Sequence, residues 1–163
     1  MRGIRIITAV AIASSSLARV ALAEASTANP AAIEAFGRGV QIYTCVASSN
    51  GYAWTLKSPE ATLNDADGRP IAKHFAGPTW QAIDGSTVVG SPLNVSPSPN
   101  ARAIPWIVLQ AKSHTGHGLM SNVDYVVRTR TEGGVAPAGG CDAGHAGAEV
   151  RVPYSAIYLF FRH

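Results

Sequence analysis

Histidine is the side chain in this sequence that offers the most varied chemistry. His114 and His117 flank a Thr-Gly pair, and His145 follows Cys141 in a second glycine-containing segment. Imidazoles that converge from separate loops can hold zinc or copper. A loop does not fix the distance between two histidines, so the spacing alone does not separate a metal site from solvated side chains. One hypothesis is therefore a metal-dependent enzyme built on His114, His117 and His145, with His74 as a further member.

A second group of residues favours binding without catalysis. His74 shortly precedes the segment Gly77-Pro78-Thr79-Trp80, in which Pro78 fixes a turn and Trp80 begins a strand, and Trp106 opens another apolar run. Aromatic rings on a concave face stack on sugars and other flat ligands, although rings in a small all-β protein lie in the core more often. The preferred hypothesis is that His74, Trp80 and Trp106 bind a carbohydrate or a small apolar molecule.

Other enzyme classes find little support in the residue pattern. The sequence contains no G-x-S-x-G nucleophile elbow and no glycine-rich phosphate loop before a helix. Glu60 and Asp124 are candidates for the acid and base of a glycosidase, but that chemistry needs the two carboxyl groups about 5–10 Å apart. The sequence does not show that Glu60 and Asp124 lie at that distance from each other. It leaves open whether the protein is an enzyme, and it implies no cofactor.

The two cysteines, Cys45 and Cys141, stand near opposite ends of the chain. A chain with two well-separated cysteines and an export signal is expected to join them in a disulfide, because disulfides persist in oxidising compartments. The pair would then clasp the two ends of the fold together and would remove Cys141 from any metal site.

Residues 1–23 have the composition of a signal peptide. Arg2 and Arg5 form a positive start, an apolar run follows, and Ala21-Leu22-Ala23 fits a small-residue cleavage site. Arg19 ends the apolar run well short of the roughly 20 residues that span a bilayer. We therefore expect a secreted or periplasmic protein of residues 24–163, without a membrane anchor after cleavage.

Loss of this leader also removes the positive charge. The whole chain is formally +3, from 13 basic and 10 acidic residues. Three of the basic residues, Arg2, Arg5 and Arg19, lie in the leader with no acid, so the remainder is neutral. Binding to nucleic acid is not expected, because it needs clustered cations. The highest local density of positive charge is at Arg128 and Arg130, and their spacing predicts that they share one solvated face of a strand.

We expect the protein to be a monomer.

Turns and alternation indicate the fold. Asn50-Gly51, Asp67-Gly68 and Asp84-Gly85 are typical of tight hairpins. Asn29, Pro30 and Gly37 suit the cap, start and stop of a short helix over residues 31–36, and residues 91–103 are expected to form a surface loop. The pattern predicts one all-β domain, an antiparallel β-sandwich or barrel with a short N-terminal helix. Its strands are predicted at residues 40–46, 52–57, 61–63, 71–75, 79–82, 87–89, 106–111, 123–130 and 157–161.

Five ordered segments also resemble a known family. They are Gly39-Val40-Gln41-Ile42-Tyr43-Thr44-Cys45, His74-Phe75-Ala76-Gly77-Pro78-Thr79-Trp80 with Asp84-Gly85-Ser86, Ile104-Pro105-Trp106, Gly133-Gly134-Val135-Ala136-Pro137, and Val152-Pro153-Tyr154-Ser155-Ala156. Together they resemble the domain-of-unknown-function 3455 family of exported bacterial and fungal proteins. The resemblance implies a secreted single domain with no assigned activity and no catalytic residues to transfer.

A third hypothesis is a secreted inhibitor or envelope-interaction protein. A strand with Tyr43 and Cys45 closed by a late cysteine is loosely similar to small periplasmic lysozyme inhibitors.

Overall fold

The computed structural model describes residues 32–162. The predicted leader, its cleavage site and His163 lie outside this part of the chain. Eight strands and one short 3-10 helix make up the fold. The strands are β1 Ile33–Ser48, β2 Gly51–Asn64, β3 Pro70–Phe75, β4 Thr79–Ala82, β5 Thr87–Ser96, β6 Trp106–Thr115, β7 Val123–Gly133 and β8 Glu149–Arg162, and the 3-10 helix is Ala143–His145.

The eight strands form one closed antiparallel barrel. Each strand pairs with its neighbour in sequence, and β8 returns to pair with β1. That closing ladder runs from Ile33 opposite Phe160 to Thr44 opposite Glu149. The prediction of an antiparallel all-β fold is confirmed, and of the two architectures left open the structure adopts the barrel. No helix among residues 32–162 is long and apolar enough to cross a membrane.

The predicted helix over residues 31–36 is wrong where the structure describes it. Ile33 and Phe36 lie in β1, and Phe36 is paired with Ile157 of β8 on one side and with Asn64 of β2 on the other. Hydrogen bonding from both sides outweighs the local helix-capping pattern, because propensity is a weak prior against tertiary context. Gly37 is not a helix stop: a Cβ there would lie 2.6 Å from the ring of Tyr158.

Several strands are longer than the sequence predicts. The segments predicted at residues 52–57 and 61–63 are one continuous strand, β2. β5 continues through Pro92 to Ser96, so the loop predicted at residues 91–103 begins only after Ser96. Pro92 is tolerated within the strand because the ladder with β6 is irregular between Pro92 and Asn94, and a bulge can accommodate the missing N–H.

The two ends of the barrel differ. The closed end contains the connections 65–69, 83–86 and 116–122, and the mouth end contains the connections 49–50, 76–78, 97–105 and 134–148. At the closed end the barrel is filled by Leu63, Met120, Val123 and Phe160, which are all fully buried. Open space within the barrel lies toward the mouth end.

The disulfide predicted between Cys45 and Cys141 is confirmed. The two Cα atoms are 5.3 Å apart across a sequence separation of 96. The bond ties the long connection 134–148 to β1. Tyr43 and Trp54 fasten the same connection, since the Tyr43 hydroxyl donates to the Gly134 carbonyl at 2.6 Å and Trp54 Nε1 donates to the Gly139 carbonyl at 2.8 Å.

Candidate functional site

A cavity of about 300 Å³ opens at the mouth end of the barrel. We call it the mouth cavity. It lies between β1, β2, the hairpin of β3 and β4, and the inward faces of β5 to β8. Its lining combines apolar side chains with a few polar ones: Gln41, Leu56, Lys57, Ser58, Pro59, His74, Ala76, Gly77, Pro78, Trp80, Pro92, Ile107, Leu109, Arg128 and Tyr158.

His74 and Trp80 are positioned by the hairpin of β3 and β4. They are directly opposite each other in the ladder, and both point inward, with His74 only 3% exposed. Their rings are stacked, with centroids 4.4 Å apart and planes inclined by 3°. This pairing of neighbouring strands is what brings together two of the residues predicted to bind ligand.

One nitrogen of the His74 ring forms a hydrogen bond and the other does not. Nδ1 lies 2.9 Å from the Thr79 carbonyl oxygen, and since a carbonyl only accepts, Nδ1 carries the proton. Nε2 forms no hydrogen bond within the described part of the chain. Burial lowers the pKa of His74 to about 4, opposed by the Thr79 carbonyl and reinforced by the Arg128 charge. At neutral pH the ring is therefore uncharged and presents Nε2 as an acceptor.

Tyr158 packs edge-on against this stack. Its ring centroid lies 5.5 Å from His74 and 6.0 Å from Trp80. Its hydroxyl is 2.9 Å from that of Tyr154. Burial raises the pKa of both tyrosines, although the Arg128 charge lowers it in part. Both hydroxyls are therefore neutral near pH 7 and can donate hydrogen bonds.

Arg128 brings a positive charge into the cavity from β7. Its Nε and Nη2 atoms donate to the Pro105 carbonyl at 3.3 and 2.8 Å. The predicted solvated face shared with Arg130 is wrong, because the β7–β8 ladder is irregular between Thr129 and Glu132 and Arg130 adopts a φ of 48°. A bulge of this kind reverses the alternation of side chains beyond it. Arg128, two residues after the buried Val126, lines the cavity, while Arg130 in the bulge is exposed.

Two buried polar atoms of the lining have no partner. Gln41 is 2% exposed and Trp80 is 1% exposed, and neither Gln41 Oε1 nor Trp80 Nε1 has a hydrogen-bond partner among the described residues. A buried polar atom without a partner costs about 1–3 kcal/mol. A ligand with its own donor and acceptor would remove that cost.

The histidines predicted to bind metal are not brought together. His114 and His117 lie at the closed end, where His114 Nε2 contacts the Val123 carbonyl oxygen at 2.8 Å. His145 lies at the mouth end, where its Nδ1 is 2.8 Å from Asp142 Oδ1. Among residues 32–162 no three His, Cys, Asp or Glu side chains form a group that could hold a metal ion.

Trp106 does not line the mouth cavity. It is on the outer side of β6, in a neighbouring depression with Val108 and Leu159, and Ile107 and Arg128 line both spaces. Glu60, proposed as half of a glycosidase pair, forms an ion pair with Arg151 at 2.8 Å. Of the three residues predicted to bind ligand, the cavity thus contains His74 and Trp80.

Sequence reasoning did not find Gln41 or Arg128. For Gln41 a signal existed, because it alternates with Tyr43 and Cys45 along the strand predicted at residues 40–46. For Arg128 the signal was ambiguous, because valines occupy both positions 126 and 127 and either could mark the buried face.

Comparison with known proteins places the chain in a family. A family model described as "Protein of unknown function (DUF3455)" matches residues 25–162. The chain belongs to the DUF3455 family. This confirms the resemblance of the five sequence segments. Neither a curated protein nor a solved structure matches the chain. The DUF3455 match spans all eight strands, so every residue that lines the mouth cavity lies within it.

Proposed function

We propose that this DUF3455 protein is a non-catalytic binding protein that holds one small, mostly apolar molecule in the mouth cavity. The observation that carries the proposal is the presence of two buried, unpartnered polar atoms, Gln41 Oε1 and Trp80 Nε1, on the wall of an otherwise apolar cavity. Ligand sites have this composition, with apolar walls and a few polar groups that fix orientation.

The size and lining of the cavity favour an apolar ligand over a carbohydrate. Its volume of about 300 Å³ lies at the lower end of the range for ligand pockets, roughly 300–1,000 Å³. Most of the side chains on its wall are hydrophobic or proline, and its two largest rings are already packed against His74 and each other. This leaves room for one or two rings or a short branched chain, with few partners for many hydroxyl groups.

We also propose that the protein works outside the cytoplasm. The disulfide between Cys45 and Cys141 supports this, because cytosolic thiols are kept reduced. No observation within residues 32–162 favours the alternative of a metal-dependent enzyme or that of an inhibitor.

Calorimetric titration with two probes of the same shape, 2-naphthamide and 2-naphthoate, tests the binding role. Leu56 lines the cavity rim and is 51% exposed, whereas Leu93 is 61% exposed and lies outside the lining. Leu56→Trp should obstruct the mouth without disturbing the core, and Leu93→Trp is the matched control.

We expect at least one probe to bind wild-type protein and Leu93→Trp with one-to-one stoichiometry and equal affinity, and to bind Leu56→Trp at least about ten-fold more weakly, since a tryptophan at the rim competes for the same space. If neither probe binds the wild type, or if Leu56→Trp binds as well as the control, the cavity is not a binding site.

A further inference from the structure

We propose that the ligand of the mouth cavity carries a carboxylate and that Arg128 is the residue that binds it. This inference rests on the proposed binding function and names the chemical class of the ligand, a small apolar carboxylic acid. Arg128 was not among the residues that the sequence indicated.

The charges on the cavity wall carry the inference. The lining contains two cationic side chains, Lys57 and Arg128, and no aspartate or glutamate. Lys57 is neutralised by Glu149, with Nζ 2.5 Å from Oε1. Within residues 32–162 Arg128 has no salt bridge to a carboxylate. The cavity therefore holds one uncompensated positive charge.

The titratable side chains around Arg128 do not balance this charge. The Arg128 charge acts on Tyr43, His74, Tyr154 and Tyr158. Burial raises the pKa of all three tyrosines and lowers that of His74, so near neutral pH none of these groups is an anion. A charge in a partly enclosed cavity is attracted more strongly to a counter-charge than the same charge in bulk water. An anionic ligand group would supply the missing counter-charge.

The geometry of Arg128 favours a carboxylate in particular. The Pro105 carbonyl accepts from Nε and Nη2, and Arg128 also forms a hydrogen bond with the Tyr158 side chain, so the guanidinium is anchored. A guanidinium has five N–H donors, so further donors remain on the anchored group. Planar forks of this kind bind carboxylates with two parallel hydrogen bonds. The anchor means that little side-chain freedom is lost on binding.

The remaining wall would receive the apolar part of such an acid. Ile107 is opposite Arg128 in the β6–β7 ladder, and Leu109 and Trp80 line the cavity beside it. A molecule with its carboxylate at Arg128 therefore places its hydrocarbon body against these side chains. The carboxylate would thus face the charged part of the wall, and the hydrocarbon body would face the apolar part.

The decisive measurement compares 2-naphthoate with 2-naphthamide, which differ in charge and hardly in shape. By calorimetry at pH 7.5 and low salt we expect wild-type protein to bind the carboxylate at least about ten-fold more tightly, because a charge-assisted bidentate pair is stronger than a neutral one. Arg128→Met should abolish this preference. Arg130→Met, two positions away and exposed, should keep it.

Equal affinity of the wild type for the two probes would overturn the carboxylate assignment and leave the binding function standing. The same conclusion follows if Arg128→Met keeps the preference. Failure of both probes to bind would remove both proposals together. Should Arg128→Met not fold, the wild-type comparison still decides, and Arg128→Lys, which keeps the charge but loses the fork, should bind the carboxylate with intermediate affinity.

Discussion

His74 illustrates how a single ring is specified by its surroundings. In the sheet, His74 is opposite Ala61 of β2 and Trp80 of β4. The small alanine side chain leaves room for the ring, and the tryptophan stacks on it. The Thr79 carbonyl fixes which nitrogen carries the proton, and burial keeps the ring uncharged. The residue is therefore a fixed acceptor at the cavity wall and carries no charge of its own near neutral pH.

The uncharged state of His74 predicts a pH-dependent stability. The pKa of about 4 in the folded protein lies below the ordinary value of about 6.5, so the unfolded chain gains its proton first as the pH falls. The stability contributed by the neutral ring is full above pH 6.5 and is lost between pH 6.5 and 4, by about 3 kcal/mol. Urea unfolding at a series of pH values measures this loss.

His74→Asn is the matched control for that measurement. The asparagine amide can donate to the Thr79 carbonyl as Nδ1 does, and it does not titrate. The variant should therefore show a shallower decline of the free energy of unfolding between pH 6.5 and 4. Parallel curves for the two proteins would mean that His74 does not titrate with the depressed pKa.

Residue chemistry explains which parts of the site were predictable. The hairpin around Pro78 predicted that His74 and Trp80 lie together, because both flank one tight turn. The inward position of Arg128 was not predictable, because valines at both 126 and 127 leave open which face of the strand is buried. The bulge at Arg130 then separates the two arginines. A bulge with a non-glycine residue in the left-handed region leaves no sequence signal of its own.

Among the structural elements, the loop 116–122 depends on a hairpin distant in sequence. Asp84 Oδ2 accepts from Leu119 N at 2.8 Å, and Ser86 Oγ accepts from Met120 N at 3.1 Å. Ser86 also donates to Asp84 Oδ1 at 2.5 Å, and hydrogen bonds from Ser86 and Leu119 lower the pKa of Asp84. The β4–β5 turn thus fixes Met120 over the closed end.

Ser86→Ala tests this clamp. The substitution leaves the buried Met120 N–H without its acceptor, and a buried unpaired donor costs about 1–3 kcal/mol. The free energy of unfolding, measured by urea denaturation, should fall by that amount. Ser121→Ala is the control, because Ser121 accepts from Gly118 N in the same loop but at an exposed site, so a smaller loss is expected. Equal losses would argue against a clamp based on burial.

At the scale of the whole molecule, the barrel could be only partly predicted. Alternation and hairpin turns predicted antiparallel strands, since those signals are local. The sequence did not distinguish a sandwich from a barrel. Closure of the barrel depends on pairing between β1 and β8, and those strands are far apart in sequence. The same distant pairing made residues 33–36 a strand against their local helix pattern.

The disulfide should contribute strongly to the stability of the whole barrel. Cross-linking a loop of 96 residues removes conformational freedom from the unfolded chain worth about 4–5 kcal/mol in the chain-entropy model. Thermal unfolding followed by circular dichroism should show a markedly lower Tm after reduction. The Cys45→Ala/Cys141→Ala variant should melt at the lower temperature with or without reductant. Two thiols that react before reduction would show that the bond does not form.

The position of Cys141 in the chain has a consequence for how the barrel is completed. During folding β1 can pair with β2 through a short turn, but its other edge waits for β8, and an unpaired edge invites association with other chains. Cys141 precedes β8, which begins at Glu149. Oxidation with Cys45 can therefore occur before β8 has paired, and it leaves the last strand tethered a few residues from the edge it must cover. The bond would then shorten the interval in which that edge is open.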